Sequence, residues 1–137
     1  MGNNATRIVI SDKGTTVCEA CAIADRAPAR MKGLLGRPSL PSGEGLLITP
    51  ACSIHTWFMR FPLDVVFLSR DLEVLDVVAS VGPWRALGRR IARMVLELPA
   101  GEATRRGLSV GDRLGLVAPG SIQTPVVFVR AASESAS

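Results

Sequence analysis

The segment 53–64, SIHTWFMRFPLD, holds the chain's single histidine and one of its two tryptophans. If this segment is a β-strand, residues two apart share a face, so His55, Trp57 and Met59 point the same way. The alternative is a bent loop with a kink at Pro62. Aromatic rings supply contact area for a ligand, and an imidazole can orient that ligand through hydrogen bonds. The segment therefore predicts a pocket around His55, Trp57 and Met59 for a small-molecule or peptide ligand. The competing interpretation is a core histidine whose ring nitrogens are bonded to the backbone.

Two carboxylates and an arginine are candidates to orient that ligand. Asp64 opens an apolar run, where it could cap a turn, pair with Arg60, or hydrogen-bond His55 and raise the imidazole pKa. Glu97 stands between leucines in VLELP, so it lies on an open face or is buried and paired. Arg37 is the expected partner of Glu97. We therefore add Asp64, Glu97 and Arg37 to the predicted ligand-binding residues.

A catalytic interpretation is the alternative: a small hydrolase- or lyase-like enzyme with His55 as general base and Asp64 or Glu97 as its partner. The sequence supplies no clear nucleophile for such a reaction. Cys52 is at odd spacing from His55 and would face the opposite side of a strand, and Ser53 would stand about 7 Å away along it. No catalytic residue is assigned, and the sequence leaves the choice between enzyme and binding module open.

Three cysteines and the histidine are the residues that could hold zinc. Cys18, Cys21, Cys52 and His55 form a formal quartet of ligands. The CxxC pair lies in a run rich in Thr, Val and Ala that is typical of a strand, so small buried thiols are the simpler interpretation. We expect no metal and no cofactor.

The sequence also gives an expectation for the cellular compartment of the protein. Its start lacks the apolar core of a signal peptide, and no run of about 18 apolar residues occurs. A cytoplasmic protein with reduced thiols and no membrane partner is expected.

The charge balance leaves a third alternative. The formal net charge is +4, and 14 of the 16 basic residues are arginine, whose forked guanidinium suits carboxylates and phosphates. Arg85, Arg89, Arg90 and Arg93 fall in one predicted basic loop, a candidate surface for an acidic partner. Nucleic acid is not expected there, because aromatic residues do not alternate with the arginines as in a single-strand binding platform. Trp84 is the one stacking candidate in the loop, and the sequence leaves the oligomeric state undetermined.

Short apolar runs separated by turn residues predict a mainly β protein. A hairpin is expected over 63–80 around the polar turn 69–71, and short helices are expected over 28–36 and 100–107. Further strands are predicted at 7–10, 15–24, 46–50, 91–99 and 125–130, and a turn followed by a strand at 109–117. Because the strands follow one another without regular helical crossovers, the expected fold is a compact antiparallel sandwich or partly open barrel with about two short helices.

The length of 137 residues fits one domain. Residues 1–14 are expected to form an N-terminal arm with the first short strand, and 15–130 a single β-rich domain. Residues 131–137 are expected to form a disordered tail.

Three blocks in order resemble a known family. They are RMKGLLGRPSLPSGEGLLI, SIHTWFMRFPLDVVFLSRDLEVLDVV and MVLELPAGEATRRGLSVGDRL, within a match that covers about residues 15–117. The chain is similar to the bacterial and archaeal proteins of domain of unknown function 192. That resemblance implies a compact β-rich, barrel-like domain with short helices, and it attaches no activity or ligand. Many members have Phe-Trp-Met-Lys-Asn-Thr where this chain has the segment 55–61, HTWFMRF, and the export of many members is not carried over.

Overall fold

The computed structural model describes residues 6–24 and 37–120, and within them the fold is mainly β. The described strands are β1 Thr6–Ser11, β2 Thr16–Ala24, β3 Glu44–Ile48, β4 Ser53–His55, β5 Leu63–Leu68, β6 Val74–Val81, β7 Ala86–Gly88, β8 Met94–Pro99 and β9 Leu114–Val117. One short helix, α1 Glu102–Arg105, is described between β8 and β9. The expected β-rich fold class is confirmed.

β5 and β6 form a hairpin, and β5 contains Asp64, one of the residues predicted to bind a ligand. All six residues of β5, LDVVFL, are buried, which is why the run is apolar on both faces apart from Asp64. The side-chain oxygen of Ser69 closes the hairpin turn by accepting hydrogen bonds from the N–H groups of Asp71 and Glu73, each at 3.1 Å. The predicted hairpin over 63–80 is thus confirmed, with its turn at the predicted residues.

Seven strands form one sheet in the order β6-β5-β8-β3-β2-β1-β9, and β4 pairs with β7 in a separate two-stranded ribbon. The sheet is mixed and not purely antiparallel, because β2 and β3 run parallel. A parallel pair needs a connection of a dozen residues or more, and residues 25–43 supply that length.

The two outer strands of the main sheet meet at one point. The N–H of Val74 donates to the Asp112 carbonyl at 2.8 Å, and the N–H of Leu114 donates to the Leu72 carbonyl at 2.9 Å. A single β-bridge joins the residues between them. The sheet is therefore not closed, and its two edges touch at this point without forming a continuous ladder.

Apolar side chains pack on both faces of the sheet. Along β5, Val66 joins one core cluster and Val65 joins the other, as the alternation of a strand requires. Helix α1 contributes Ala103 to the first cluster. The ribbon covers the second cluster with Ile54 of β4 and Leu87 of β7. The ribbon that carries the candidate site is therefore anchored to the core by its apolar face.

Two elements differ from their predicted form. β7 lies inside the segment 82–90 that was expected to be a basic loop, and α1 is shorter than the helix expected over 100–107. The predicted helix 28–36, strand 125–130 and tail 131–137 lie outside the described residues. Within the described ranges, no helix has the length and apolar character needed to cross a membrane.

Candidate functional site

Strand β4 is followed directly by Thr56, which fastens the turn after it. Thr56 is buried, and its N–H donates to the Arg85 carbonyl at 2.8 Å. Its own carbonyl accepts from the N–H groups of Met59 and Trp84, both at 3.1 Å. Its hydroxyl donates to the Gly82 carbonyl at 2.7 Å and accepts from the Arg85 N–H at 2.9 Å. These bonds hold the turn after β4 against the loop before β7.

Three aromatic side chains project from this fastened region, and we call Trp57, Phe58 and Trp84 the aromatic ledge. Their exposed fractions are 46%, 62% and 62%. The rings of Phe58 and Trp84 meet edge to face with centroids 4.8 Å apart. Both residues have positive φ, 69° and 64°, a backbone region that is unfavourable for bulky side chains. The surrounding hydrogen bonds therefore hold two strained residues with their rings exposed.

His55 lies against Trp57 at the edge of the ledge. The two ring centroids are 4.7 Å apart, and the planes are tilted by 30°. The Nδ1 atom of His55 is buried and has no hydrogen-bond partner among the described residues. The core histidine with both nitrogens bonded to backbone, considered as the competing interpretation, is therefore not formed there. The imidazole is placed by its contact with Trp57 and not by a hydrogen bond at Nδ1.

The strand alternation assumed for the whole segment stops at His55. The N–H of Met59 closes a turn onto the Thr56 carbonyl, which takes the chain out of the extended conformation. Met59 packs against the second core cluster, and Phe61 is buried within it. Of the predicted wall, His55 and Trp57 are in contact, whereas Met59 packs toward the core.

Asp64 is fully buried at the start of β5 and binds two main-chain groups. One carboxylate oxygen accepts from the Ser80 N–H and the other from the Ala103 N–H, each at 2.9 Å. Ala103 lies in the first turn of α1, so this carboxylate satisfies a helix N–H that has no partner within the helix. Neither hydrogen bond involves His55. The carboxylate therefore ties α1 to the β5–β6 hairpin, and the hydrogen bond to the imidazole considered from sequence is not formed.

The predicted ion pair between Arg37 and Glu97 is not formed. Arg37 donates instead to Oε1 of Glu44 at 3.1 Å. Glu44 lies at the start of β3, close to Arg37 along the chain and partly exposed. Glu97 is buried inside β8, where its neighbours in register are Leu46 of β3 and Val65 of β5. The sequence pattern identified the burial of Glu97 as one of two options and misassigned the partner of Arg37.

A further buried carboxylate, Glu102 of α1, was not among the residues predicted from sequence. It accepts hydrogen bonds from the Ser42 hydroxyl at 2.9 Å and the Gly43 N–H at 3.0 Å. It also accepts from the guanidinium groups of Arg105 and Arg106. Burial opposes its ionisation, but these hydrogen bonds and the nearby positive charge outweigh burial and hold its pKa below the usual value. The available signal was an acidic residue in a first helical turn with arginines three and four positions later.

Cys18 and Cys21 of β2 are buried in the first core cluster, whereas Cys52 is exposed. The register between β1 and β2 is irregular, pairing Arg7 with Cys21 and Val9 with Cys18, so a bulge lets both thiols reach the core. A hydrogen bond between the two thiols lowers the pKa of Cys18, and the same contact together with burial raises the pKa of Cys21. The burial predicted for the thiols of the CxxC pair is confirmed.

Neither a group of metal ligands nor the hollow beside the ribbon adds to the ledge in the described part of the chain. Among the described residues, no group of three or more His, Cys, Asp or Glu side chains is placed to hold a metal ion. An open hollow of about 240 Å³ lies beside the ribbon, lined by Pro50, Ala51, Cys52, Ala92 and Arg93. None of the predicted ligand-binding residues lines this hollow, so it does not enlarge the site at His55.

The arginines of the predicted basic loop fall into two groups. Arg89 forms an ion pair with Asp76 at 2.7 Å, and its guanidinium lies 4.9 Å above the ring centroid of Phe67. It thereby fastens the ribbon to the β5–β6 hairpin. Arg85, Arg90 and Arg93 are exposed, and none of them has an ion-pair partner within the described ranges. The ledge is therefore accompanied by positive charge.

Sequence comparison assigns the chain to known relatives. The family model for domain of unknown function 192, described as Uncharacterized ACR, matches residues 8–116. A UPF0127 protein of Pyrococcus furiosus is 32% identical over 108 residues, which cover 74% of this chain and 90% of that protein. A UPF0127 protein of Thermococcus sibiricus is 28% identical over 113 residues, which cover 78% of this chain and 72% of that protein. These matches confirm the resemblance carried by the three sequence blocks.

Solved structures share the fold. A crystal structure of a candidate transcription regulator from Sinorhizobium meliloti has a TM-score of 0.74 at 26% identity, covering 85% of this chain and 97% of that one. A protein of unknown function from Novosphingobium aromaticivorans has a TM-score of 0.68 at 24% identity, covering 80% of this chain and 83% of that one. Neither description names a ligand.

Proposed function

Because the chain belongs to the domain of unknown function 192 family, whose description names no activity, we propose its function from its own surface. The protein is a non-enzymatic binding module that holds a peptide or small-molecule ligand against the aromatic ledge and His55. Of the residues predicted from sequence, His55 and Trp57 carry this proposal. Met59, Asp64, Glu97 and Arg37 have packing or pairing environments of their own and add nothing to it.

The observation that supports the proposal most is the strained display of the ledge. A bulky residue at positive φ is disfavoured by about 1–2 kcal/mol, and Phe58 and Trp84 both adopt that conformation. Burial does not compensate for it, since both side chains are more than half exposed. Strain of this kind persists where function requires a particular display, and exposed aromatic rings provide much of the binding energy at interfaces.

His55 completes the binding surface at its edge. The residue is partly buried, and its ring lies against Trp57 with the two centroids 4.7 Å apart. An imidazole offers a ligand one donor or acceptor nitrogen next to a flat apolar face. Contact area from the rings and orientation from the imidazole are the two requirements of a small binding site.

An enzymatic role for His55, as in a hydrolase or lyase, has weaker support. A general base is normally oriented by a partner on its second ring nitrogen. Both oxygens of Asp64 are engaged with main-chain N–H groups, and Nδ1 of His55 has no partner in the part of the chain that the structure describes. The surface therefore favours holding a ligand over transferring its proton.

Tryptophan fluorescence tests the proposal directly, because the chain's two tryptophans, Trp57 and Trp84, both belong to the ledge. We expect a screen of small molecules and random peptides to yield ligands that change tryptophan emission and raise the melting temperature. The double substitution Phe58→Ser and Trp84→Ser should weaken those ligands by at least about tenfold while preserving the far-ultraviolet circular dichroism spectrum. Arg7→Gln on β1 is the matched control and should leave affinity unchanged.

Two outcomes would contradict the proposal. One is a set of ligands whose affinity is the same for wild type and for the double variant. The other is a screen in which no compound or peptide alters tryptophan emission.

A further inference from the structure

We propose that the ligand of the ledge is an acidic peptide segment with apolar side chains, presented by a partner protein. This inference rests on the binding function proposed above and adds the chemical class of the ligand. Its support comes from the charges and exposed apolar groups that surround the ledge.

The two segments that build the ribbon and the ledge, 49–63 and 82–93, contain five arginines and no Asp or Glu. The ion pair of Arg89 with Asp76 neutralises one of these charges. Arg85, which directly follows Trp84, is exposed and has no ion-pair partner among the described residues, and the same holds for Arg90. The surface therefore complements carboxylates, which a guanidinium fork can bind with two hydrogen bonds.

Exposed apolar side chains concentrate in the same two segments. Of the six large hydrophobic residues exposed in the described ranges, four lie here: Trp57, Phe58, Trp84 and Ile91. A ligand that satisfies both the arginines and these side chains must alternate or combine carboxylates with apolar groups. Aromatic and arginine side chains are also the residues most enriched among those that dominate binding energy at protein interfaces.

The layout of the ribbon favours an extended peptide over a compact anion. The ledge lies before β7, and Arg90 and Ile91 follow it. Five residues, 85–89, lie between Trp84 and Arg90, so in an extended chain the two groups are up to about 20 Å apart. An extended peptide rises about 3.3 Å per residue, so a segment of about six residues reaches both ends. A single small anion contacts only one of them.

The ring geometry favours a peptide over single-stranded nucleic acid. Consecutive bases stack on open aromatic faces. One face of Trp57 is occupied by His55, and Phe58 and Trp84 meet at 63°, so they do not offer two parallel faces. Apolar peptide side chains fit between rings set edge to face without such a requirement.

A displayed library of random twelve-residue peptides tests this inference. It is selected on immobilised wild-type protein and counter-selected on the Phe58→Ser and Trp84→Ser double variant. We expect the wild-type-specific peptides to be enriched in Asp and Glu together with Phe, Trp, Leu or Ile. For the best peptide, labelled with fluorescein, anisotropy should give a Kd that rises about three- to tenfold in the Arg85→Gln and Arg90→Gln double variant. The Arg7→Gln control should bind as wild type does, and added salt should weaken the wild-type complex.

The outcomes separate this inference from the proposed function. Ledge-dependent peptides without acidic enrichment would overturn the acidic class and leave the binding module intact. The absence of any ledge-dependent binder, among peptides and in the small-molecule screen, would overturn both. Labelled oligothymidylate or phosphatidylserine vesicles that bind the ledge more tightly than the best peptide would replace the peptide by nucleic acid or by a membrane surface.

Discussion

Thr56 and Arg85 are joined by two hydrogen bonds of opposite direction. The Thr56 N–H donates to the Arg85 carbonyl at 2.8 Å, and the Arg85 N–H donates to the Thr56 hydroxyl at 2.9 Å. The pair continues the β4–β7 ladder one position beyond its last strand residues, with a side-chain oxygen in place of a carbonyl. The display of the aromatic ledge therefore depends on a buried hydroxyl.

Thr56→Val tests that dependence, because valine keeps the shape of threonine and removes the hydroxyl. Two main-chain groups, the Arg85 N–H and the Gly82 carbonyl, lose a buried partner. We expect the free energy of unfolding in urea to fall by about 1–3 kcal/mol. Thr56→Ser keeps the hydroxyl, so its free energy of unfolding should fall by less. Equal stabilities of the two variants would contradict this account.

Substitutions on the ledge should differ sharply from a neighbouring core substitution. Phe58→Ala and Trp84→Ala remove exposed side chains and should each change the free energy of unfolding by no more than about 0.5 kcal/mol. Phe61→Ala removes a ring buried in the second core cluster and should lower it by about 3–5 kcal/mol. Chemical denaturation followed by circular dichroism measures all three. If Phe58→Ala or Trp84→Ala lowered the free energy of unfolding by about 3–5 kcal/mol, the ledge would stabilise the fold and would not be a binding surface.

Asp64→Asn should uncouple α1 from the β5–β6 hairpin. An amide retains one acceptor oxygen, and its NH₂ group then faces a main-chain N–H, so one of the two buried hydrogen bonds is lost. We expect a loss of about 1–3 kcal/mol in the free energy of unfolding. Asp71→Asn in the exposed hairpin turn is the matched control and should be near neutral. Faster hydrogen exchange at the Ala103 N–H would locate the effect.

Acid should destabilise the protein partly through Glu102. Its folded pKa lies below the usual value of 4.5, so its ionised form stabilises the folded state fully above that pH. This contribution is lost as the pH falls through the lower, folded pKa. Glu19 has a lowered pKa too, through its hydrogen bond with Arg106, and acts in the same direction. We expect Glu102→Gln to reduce stability at neutral pH and to flatten the decline below pH 4.5, whereas parallel pH profiles would contradict the assignment.

The three thiols should react in two classes. Cys52 is exposed, whereas Cys18 and Cys21 have no exposed surface, and burial adds to the raised pKa of Cys21. Iodoacetamide should therefore label one thiol in the native protein and three in urea, as counted by mass spectrometry. Cys52→Ser should abolish the native labelling. Native labelling of Cys18 at a comparable rate would show that the first core cluster opens readily.

Much of the fold followed from apolar periodicity and turn residues. The hairpin 63–80 was recognisable because two β-branched runs flank Ser69, Arg70 and Asp71, and local turn chemistry decides such a unit. The parallel pairing of β2 and β3 was not recognisable, because it depends on which strands become neighbours across a long connection. β7 was missed since its three residues, Ala86–Gly88, become a strand only through pairing with β4.

The candidate site was predicted in part for a similar reason. Composition singled out His55 and Trp57, which the fold does bring together. The contact of Phe58 with Trp84 joins residues far apart in the chain, and their positive φ is set by tertiary hydrogen bonds that no propensity of Phe or Trp indicates. Asp64 binds main-chain N–H groups, and Arg37 binds Glu44. Both partners differ from those expected.

The position of β1 between β2 and β9 sets an order of events during protein synthesis. β1 leaves the ribosome before the other described strands, but its second neighbour, β9, is translated about a hundred residues later. Until then Val9 and Ile10, buried in the finished molecule, lie in a strand with one unprotected edge. The nascent chain is therefore exposed to aggregation or chaperone capture until nearly all of its described strands have emerged, and only then can the first strand be enclosed on both sides.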